Sequence, residues 1–185
     1  AGPPDRRGQS VVEPTARGGP SRKEESVLPL PVQVDGEITA LRLDGRGEDL
    51  FIGTSRGQVV RYDLRERESP KRAEVADVAG GPGVPVTALG FLIGDRTLVV
   101  GDGAGGVSSW QVIPPPTGGA PRLTRVYQFQ GHRGPVVAVT ASQRDKGFAT
   151  ADASGQIHVH YGTSGHTLLS MAAAAGTPLR TVVFA

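Results

Sequence analysis

Gly101, Gly103 and Gly106 hold the G-x-G-x-x-G spacing of a dinucleotide-binding loop. That chemistry needs a helix after the glycines, because the helix N-terminus holds the pyrophosphate. Here Val107 to Ile113 follow and then Pro114, Pro115 and Pro116, a strand ended by a breaker. The stretch Gly53-Thr54-Ser55-Arg56-Gly57 matches G-x-S-x-G and offers Ser55 as a hydrolase nucleophile, yet "QVVRYDL" behind it is again a strand where the elbow requires a helix. His158 and His160 are two residues apart on a strand-like run, so both face one side, and His132 or His166 can come near; three converging imidazoles bind zinc. No carboxylate stands at a matching spacing, and the plainer account has His160 filling a packing position while His158 lines the same face. No residue is assigned as catalytic, cofactor-binding or metal-ligating on this reading.

The elements that carry these residues follow from composition. Among 185 residues, 27 Gly and 15 Pro disfavour helix interiors and predict a turn-dense, strand-rich chain. Its 20 basic and 18 acidic side chains are interleaved and leave a formal charge of +2, without the basic stripe or aromatics that nucleic acid asks for. With no cysteine there are no disulfides, thiolate metal sites or cysteine nucleophiles. No apolar run approaches the ~18 residues that cross a bilayer, so the sequence reads as soluble, with any membrane contact made through segments outside it. It starts without methionine and stops inside an apolar run, as a piece of something longer would. The preference for arginine over lysine and the absence of asparagine look like a high-GC bacterial genome.

Residues 1–26 mix Pro, Gly, Arg and Glu without periodicity and are expected to form a flexible leader. From there on a pattern recurs. "EITALRL", "PVTALGF", "PVVAVTA" and "PLRTVVF" share an apolar-x-apolar beat, with Ile38, Val86, Val136 and Leu179 spaced 48, 50 and 43 residues apart. "FIGTSRGQVVRYD", "VVGDGAGGVSSWQ" and "ATADASGQIHVHY" align without gaps and keep step with it. A strand-built period of ~40 to 50 residues is the signature of propeller blades. The alignment sets Gly105 on Gly57 and Gly155, between two short strands, where a hairpin turn calls for positive φ. Adding "SVLPLPVQV", "RAEVADV", "RLTRVYQF" and "HTLLSMA" as outer strands, each ahead of an inner strand, predicts an all-β, propeller-like fold of about three four-stranded blades plus half a blade over residues 27–185.

At "GHRGPVVAV" the chain resembles the WD-repeat family, with His132 at the family's histidine, Trp110 at its tryptophan and Tyr62-Asp63 as a near match to Trp-Asp. It departs from the family where His160 and Tyr161 replace Trp-Asp, where Gln111 follows Trp110, and where Arg56, Ala104 and Ser154 replace the turn aspartate; the family's hydrogen-bond network is therefore expected to be incomplete in every unit. More narrowly, "ASQRDKGFATADASGQIHVHYGTSGHTLL", Ala141 to Leu169, resembles the soluble insert of proteobacterial phosphate ABC transporter permeases. That resemblance implies a non-catalytic domain on the periplasmic side of the inner membrane. Its implied partners are the rest of its own chain and companion transporter subunits. A free-standing cytoplasmic WD-repeat-type scaffold is the alternative. Three structural expectations accompany the repeat. Trp110 should pack between adjacent sheets, "PPPTGGAP" (Pro114 to Pro121) should bridge two blades as a stiff linker, and the isolated segment should self-associate through its open ends.

Overall fold

The computed structural model describes residues 32–173 and 179–180, so the leader and all but Leu179 and Arg180 of the last repeat segment, "PLRTVVF", lie outside the described residues. Strands β1 (Ile38–Leu43), β2 (Asp49–Thr54), β3 (Gln58–Asp63) and β4 (Lys71–Asp77) form the first sheet, in chain order. The second consists of β5 (Val86–Phe91), β6 (Leu98–Asp102), β7 (Val107–Ile113) and β8 (Arg122–Gln128), and the third of β9 (Val136–Ala141), β10 (Gly147–Asp152), β11 (Gln156–Tyr161) and β12 (His166–Ala172). All neighbours are antiparallel. The chain is thus an all-β partial propeller, as the repeat predicts.

Two expectations are corrected by the pairing. The outer strand closes the sheet behind it rather than opening the next: Lys71–Asp77 pairs with β3, and His166–Ala172, expected to begin the half-blade, completes the third sheet on β11. Residues 32–34, the end of the segment expected to open the first blade, form no strand. For the same reason Pro114 to Pro121 does not bridge two blades. It joins β7 to β8 within the second sheet, while its last carbonyl, Pro121, accepts a 3.3 Å bond from Arg61 Nη2 of the first.

Stacking of the sheets explains the burial. Middle strands β6 and β10 are buried along their whole length, on both faces, and so carry runs such as "LVVGD" and "GFATAD" in place of alternation. Outer strand β4, "KRAEVAD", alternates charge and apolar residues and stays largely exposed. Phe51 and Val59 of the first sheet meet Phe91, Leu98, Trp110 and Leu123 of the second; Val99 and Val107 of the second meet Val136 and Phe148 of the third, with Phe129 just past β8. Each such side chain taken from water contributes roughly 1.5 to 3 kcal/mol. Trp110 does pack between adjacent sheets, 8% exposed.

Glycine serves two purposes. Gly105 has φ 90° in the β6–β7 turn, matched by 82° at Gly57 and 93° at Gly155. At Gly101 a Cβ would meet Val136 Cγ1 of the next sheet at 2.5 Å, so the missing side chain lets the sheets close up. A bulge also recurs at one repeat position, immediately ahead of Tyr62, Trp110 and His160. These three rings are structural equivalents.

Candidate functional site

The motifs with the spacing of enzyme chemistry are turns. β7 starts at Val107, directly behind Gly106, so the glycines connect two strands. Ser55 lies between β2 and β3, where its Oγ accepts the Glu37 amide at 2.9 Å. Neither has the helix that its reaction would need.

Each of the three turns is held by a side chain two residues ahead of the position where the family pattern places its aspartate. Thr54 Oγ1 accepts the amides of Arg56 and Gln58, each at 3.3 Å. Asp102 Oδ1 accepts those of Ala104 and Gly106 at 2.9 and 2.7 Å, and Asp152 Oδ1 those of Ser154 and Gln156, both at 2.9 Å. The turn acceptor absent at Arg56, Ala104 and Ser154 is therefore supplied from the end of the preceding strand.

Between the first two sheets opens a cleft of about 670 Å³ whose lining includes Asp49, Arg61, Arg65, Phe91, Trp110 and Leu123. Two of its four arginines, Arg61 and Arg65, are engaged. Arg61 Nη1 lies 3.1 Å from Asp49, and Arg65 lies 2.8 Å from Asp63 and 3.4 Å from Glu48. Leu123 donates its amide to the Glu74 carboxylate at 2.9 Å, linking β8 to β4 across the seam. Mutual neutralisation leaves Arg61 and Arg65 poorly placed to capture a free anion.

The third sheet gathers the polar cluster. His132, ahead of β9, and His158 and His160 on β11 are all buried, with ligand-capable atoms within 4.8 Å of one another. His166 is exposed on β12 and does not join them. Thr150 Oγ1 lies 2.7 Å from His132 Nε2 and 2.9 Å from His160 Nε2, and His160 Nδ1 lies 3.0 Å from Thr167 Oγ1. His132 Nδ1 faces Asp152 Oδ2 at 3.6 Å. One polarity aims an N–H at that carboxylate: Thr167 donates to His160 Nδ1, His160 Nε2–H to Thr150, Thr150 to His132 Nε2, and His132 Nδ1–H points to Asp152. Hydrogen bonds thus link Thr167, His160, Thr150 and His132 in the third sheet, with His160 at the tryptophan's position. The last step, to the Asp152 carboxylate, is a 3.6 Å contact and not a hydrogen bond, so the network expected to be incomplete in every unit stays open there.

Burial, and then the neighbouring His158 ring, push both His132 and His160 down to about 4. Both are neutral at pH 7, so the contact of His132 with Asp152 is not an ion pair. Burial works to raise the Asp152 carboxyl, but the bonds from Ser154 and Gln156 and the adjacent His132 outweigh it and hold it below its ordinary range. His158 is different. It stacks on His132 with ring centroids 4.3 Å apart, is 1% exposed, and neither ring nitrogen has a hydrogen-bond partner.

Comparison with known proteins extends the fold assignment. No protein-family pattern matches the chain. No curated protein sequence matches it. Solved structures do. The Cps50 (Swd1) β-propeller domain of Myceliophteria thermophila is similar at 17% identity and a TM-score of 0.63, over 79% of this chain and 44% of that one. The RRP9 WD40 repeats are similar at 15% and 0.61, over 77% and 40%. A chain in the Mitotic Checkpoint Complex is similar at 16% and 0.57, over 72% and 38%. This chain therefore spans about two fifths of the length of those propellers, and at such identities the likeness establishes a WD40-like β-propeller fold.

Proposed function

We propose that this segment is a non-catalytic interaction scaffold within a larger β-propeller, and more narrowly the periplasmic insert of a bacterial phosphate ABC transporter permease. The observation that carries the scaffold reading is the conversion of every catalytic-looking motif into a repeated hairpin turn, at Ser55 and at Gly101 to Gly106. The similar chain from the Mitotic Checkpoint Complex, a propeller within an assembly, lends support. The narrower reading draws on the resemblance over Ala141 to Leu169. In it, phosphate passes through membrane helices and an ATPase elsewhere, and this segment docks companion subunits.

The uncovered surfaces agree with a segment that expects neighbours. Ile38, Leu41 and Leu43 on β1 are 48%, 59% and 49% exposed, and Leu168 and Leu169 on β12 are 62% and 50% exposed. Later blades of the same chain would cover them, and in the isolated segment copies pack these ends together.

The full-length gene tests the narrower reading. Two or more apolar runs of ~20 residues flanking residues 1–185 are expected, and their absence overturns it in favour of a free-standing cytoplasmic scaffold. Sedimentation of the isolated segment at micromolar concentration tests the docking surfaces. The expected result is a dimer or larger assembly; a folded monomer rules out pairing of the open ends.

A further inference from the structure

We propose that His132, His158 and His160 form a structural site for a divalent late transition metal, zinc or a cation of similar coordination preference. His158 is the ring of the three with no hydrogen bond at either nitrogen. A fully buried imidazole with both nitrogens unsatisfied is costly to fold, because the hydrogen bonds it made with water have no replacement. Its neighbours on β11 and ahead of β9 are also imidazoles, the ligands that zinc, copper and nickel favour over the hard oxygen donors of magnesium or calcium. A cation bound among the three gives His158 a partner that nothing else among the described residues supplies.

The geometry is close to what coordination requires. Zinc–nitrogen bonds of about 2.1 Å in a tetrahedral arrangement set the nitrogens roughly 3.4 Å apart. The three ligand-capable atoms lie within 4.8 Å of one another, and because His132 and His158 are stacked with 17° between their planes, at least one of these rings has to turn about χ2, a soft torsion, before both lone pairs meet one ion. Thr150, which now bridges two of the rings, gives up at least one of its bonds or stays as a fourth, weak ligand.

The carboxylate missing from the sequence pattern is Asp152. It is not one of the grouped ligands but faces His132 Nδ1 at 3.6 Å. That is the place of the outer carboxylate that fixes the tautomer of a metal-bound histidine and strengthens it as a ligand. Its negative charge also offsets part of the buried cation's. The side chains hydrogen-bonded to the group, Thr150 and Thr167, are uncharged.

A site this deeply buried loads as the sheet forms or through local opening, so metal capture is coupled to folding. The experiment uses the untagged chain, stripped with chelator, then either incubated or refolded with Zn²⁺ and desalted before its metal content is measured. One zinc retained per chain and a raised melting temperature are expected, as is a Co²⁺ derivative with the visible absorption of a tetrahedral nitrogen-rich site. Retention of less than about a tenth of an equivalent by both routes overturns the proposal. His158→Phe keeps a ring stacked on His132 and should abolish retention, while His166→Ala should leave it intact; the reverse pattern places the metal at the surface. Asp152→Asn, which keeps an acceptor for the turn, should weaken affinity ~10-fold or more. Should His158→Phe fail to fold, the Co²⁺ spectrum of the native chain decides.

Discussion

Trp110 and His160 occupy one position of the repeat in neighbouring sheets, each just past a bulge, and they hold their seams in opposite ways. The indole lies in an apolar group with Phe91, Leu98 and Leu123 and uses its single donor on Ser108, two residues back, at 2.8 Å. The imidazole lies on Phe148, with ring centroids 4.8 Å apart, and beside Phe129, but both its nitrogens are committed to threonines. Ser108 has become His158, and Val100, which faces the apolar seam, has become Thr150. The fold therefore accepts either a large apolar ring or a smaller polar one, provided the smaller ring brings its partners with it. Only the second arrangement titrates.

Acid should separate the two seams most strongly. The folded-state values of His132 and His160 lie near 4, below the 6.5 of a free histidine. The unfolded chain thus binds protons first as the pH falls. Their contribution to stability is complete above pH ~6.5 and is lost between there and ~4. With a tenfold change in proton affinity equal to about 1.4 kcal/mol, the fall from 6.5 to about 4 amounts to roughly 3.5 kcal/mol per ring, so the two together lose at most about 7 kcal/mol. Trp110 is the only tryptophan and sits in the other seam. Acid titration of the metal-free chain should change the histidine NMR signals before Trp110 fluorescence moves; simultaneous transitions would show that the sheets melt as one unit.

At neutral pH the ranking reverses. Trp110→Ala should destabilise by roughly 3 to 5 kcal/mol, the usual result of emptying a buried aromatic site, read by denaturant unfolding. An unchanged midpoint contradicts its place in the seam. Thr150→Val, which keeps shape but strands two imidazole nitrogens, should destabilise by roughly 1 to 3 kcal/mol. His166→Ala, on the exposed side of β12, should leave the melting temperature where it was.

The parts of this fold that can be read in advance are local ones. A hairpin turn is specified within a few residues, so the period, the positive φ at Gly105 and the burial of Trp110 all follow from short patterns. The phase of the repeat is another matter: an outer strand between two hairpins has the same sequence whichever it joins, and only pairing of Lys71–Asp77 with β3 decides. The same ambiguity misplaces Pro114 to Pro121. Asp152 escapes a search by spacing because its reach is three-dimensional: one carboxylate oxygen caps the turn in front of it while the other faces His132, twenty residues earlier in the chain. The shared side of His158 and His160 is open to a reading of strand alternation, but the choice of His132 over His166 as the third ring and the solitude of His158 depend on the folded surroundings.

The strict chain order within each sheet has a consequence for how the molecule is made. Because β1 to β4, β5 to β8 and β9 to β12 are each consecutive, every hydrogen-bonded strand pair joins segments that leave the ribosome one after the other. Contacts at short sequence separation form quickly, and nothing within a sheet waits for residues synthesised much later. The growing chain completes one sheet, whose bare side then receives the next as it emerges, so assembly proceeds from the N-terminal end like courses laid on a wall. A sheet finished in this way never has to search the whole chain for its strands.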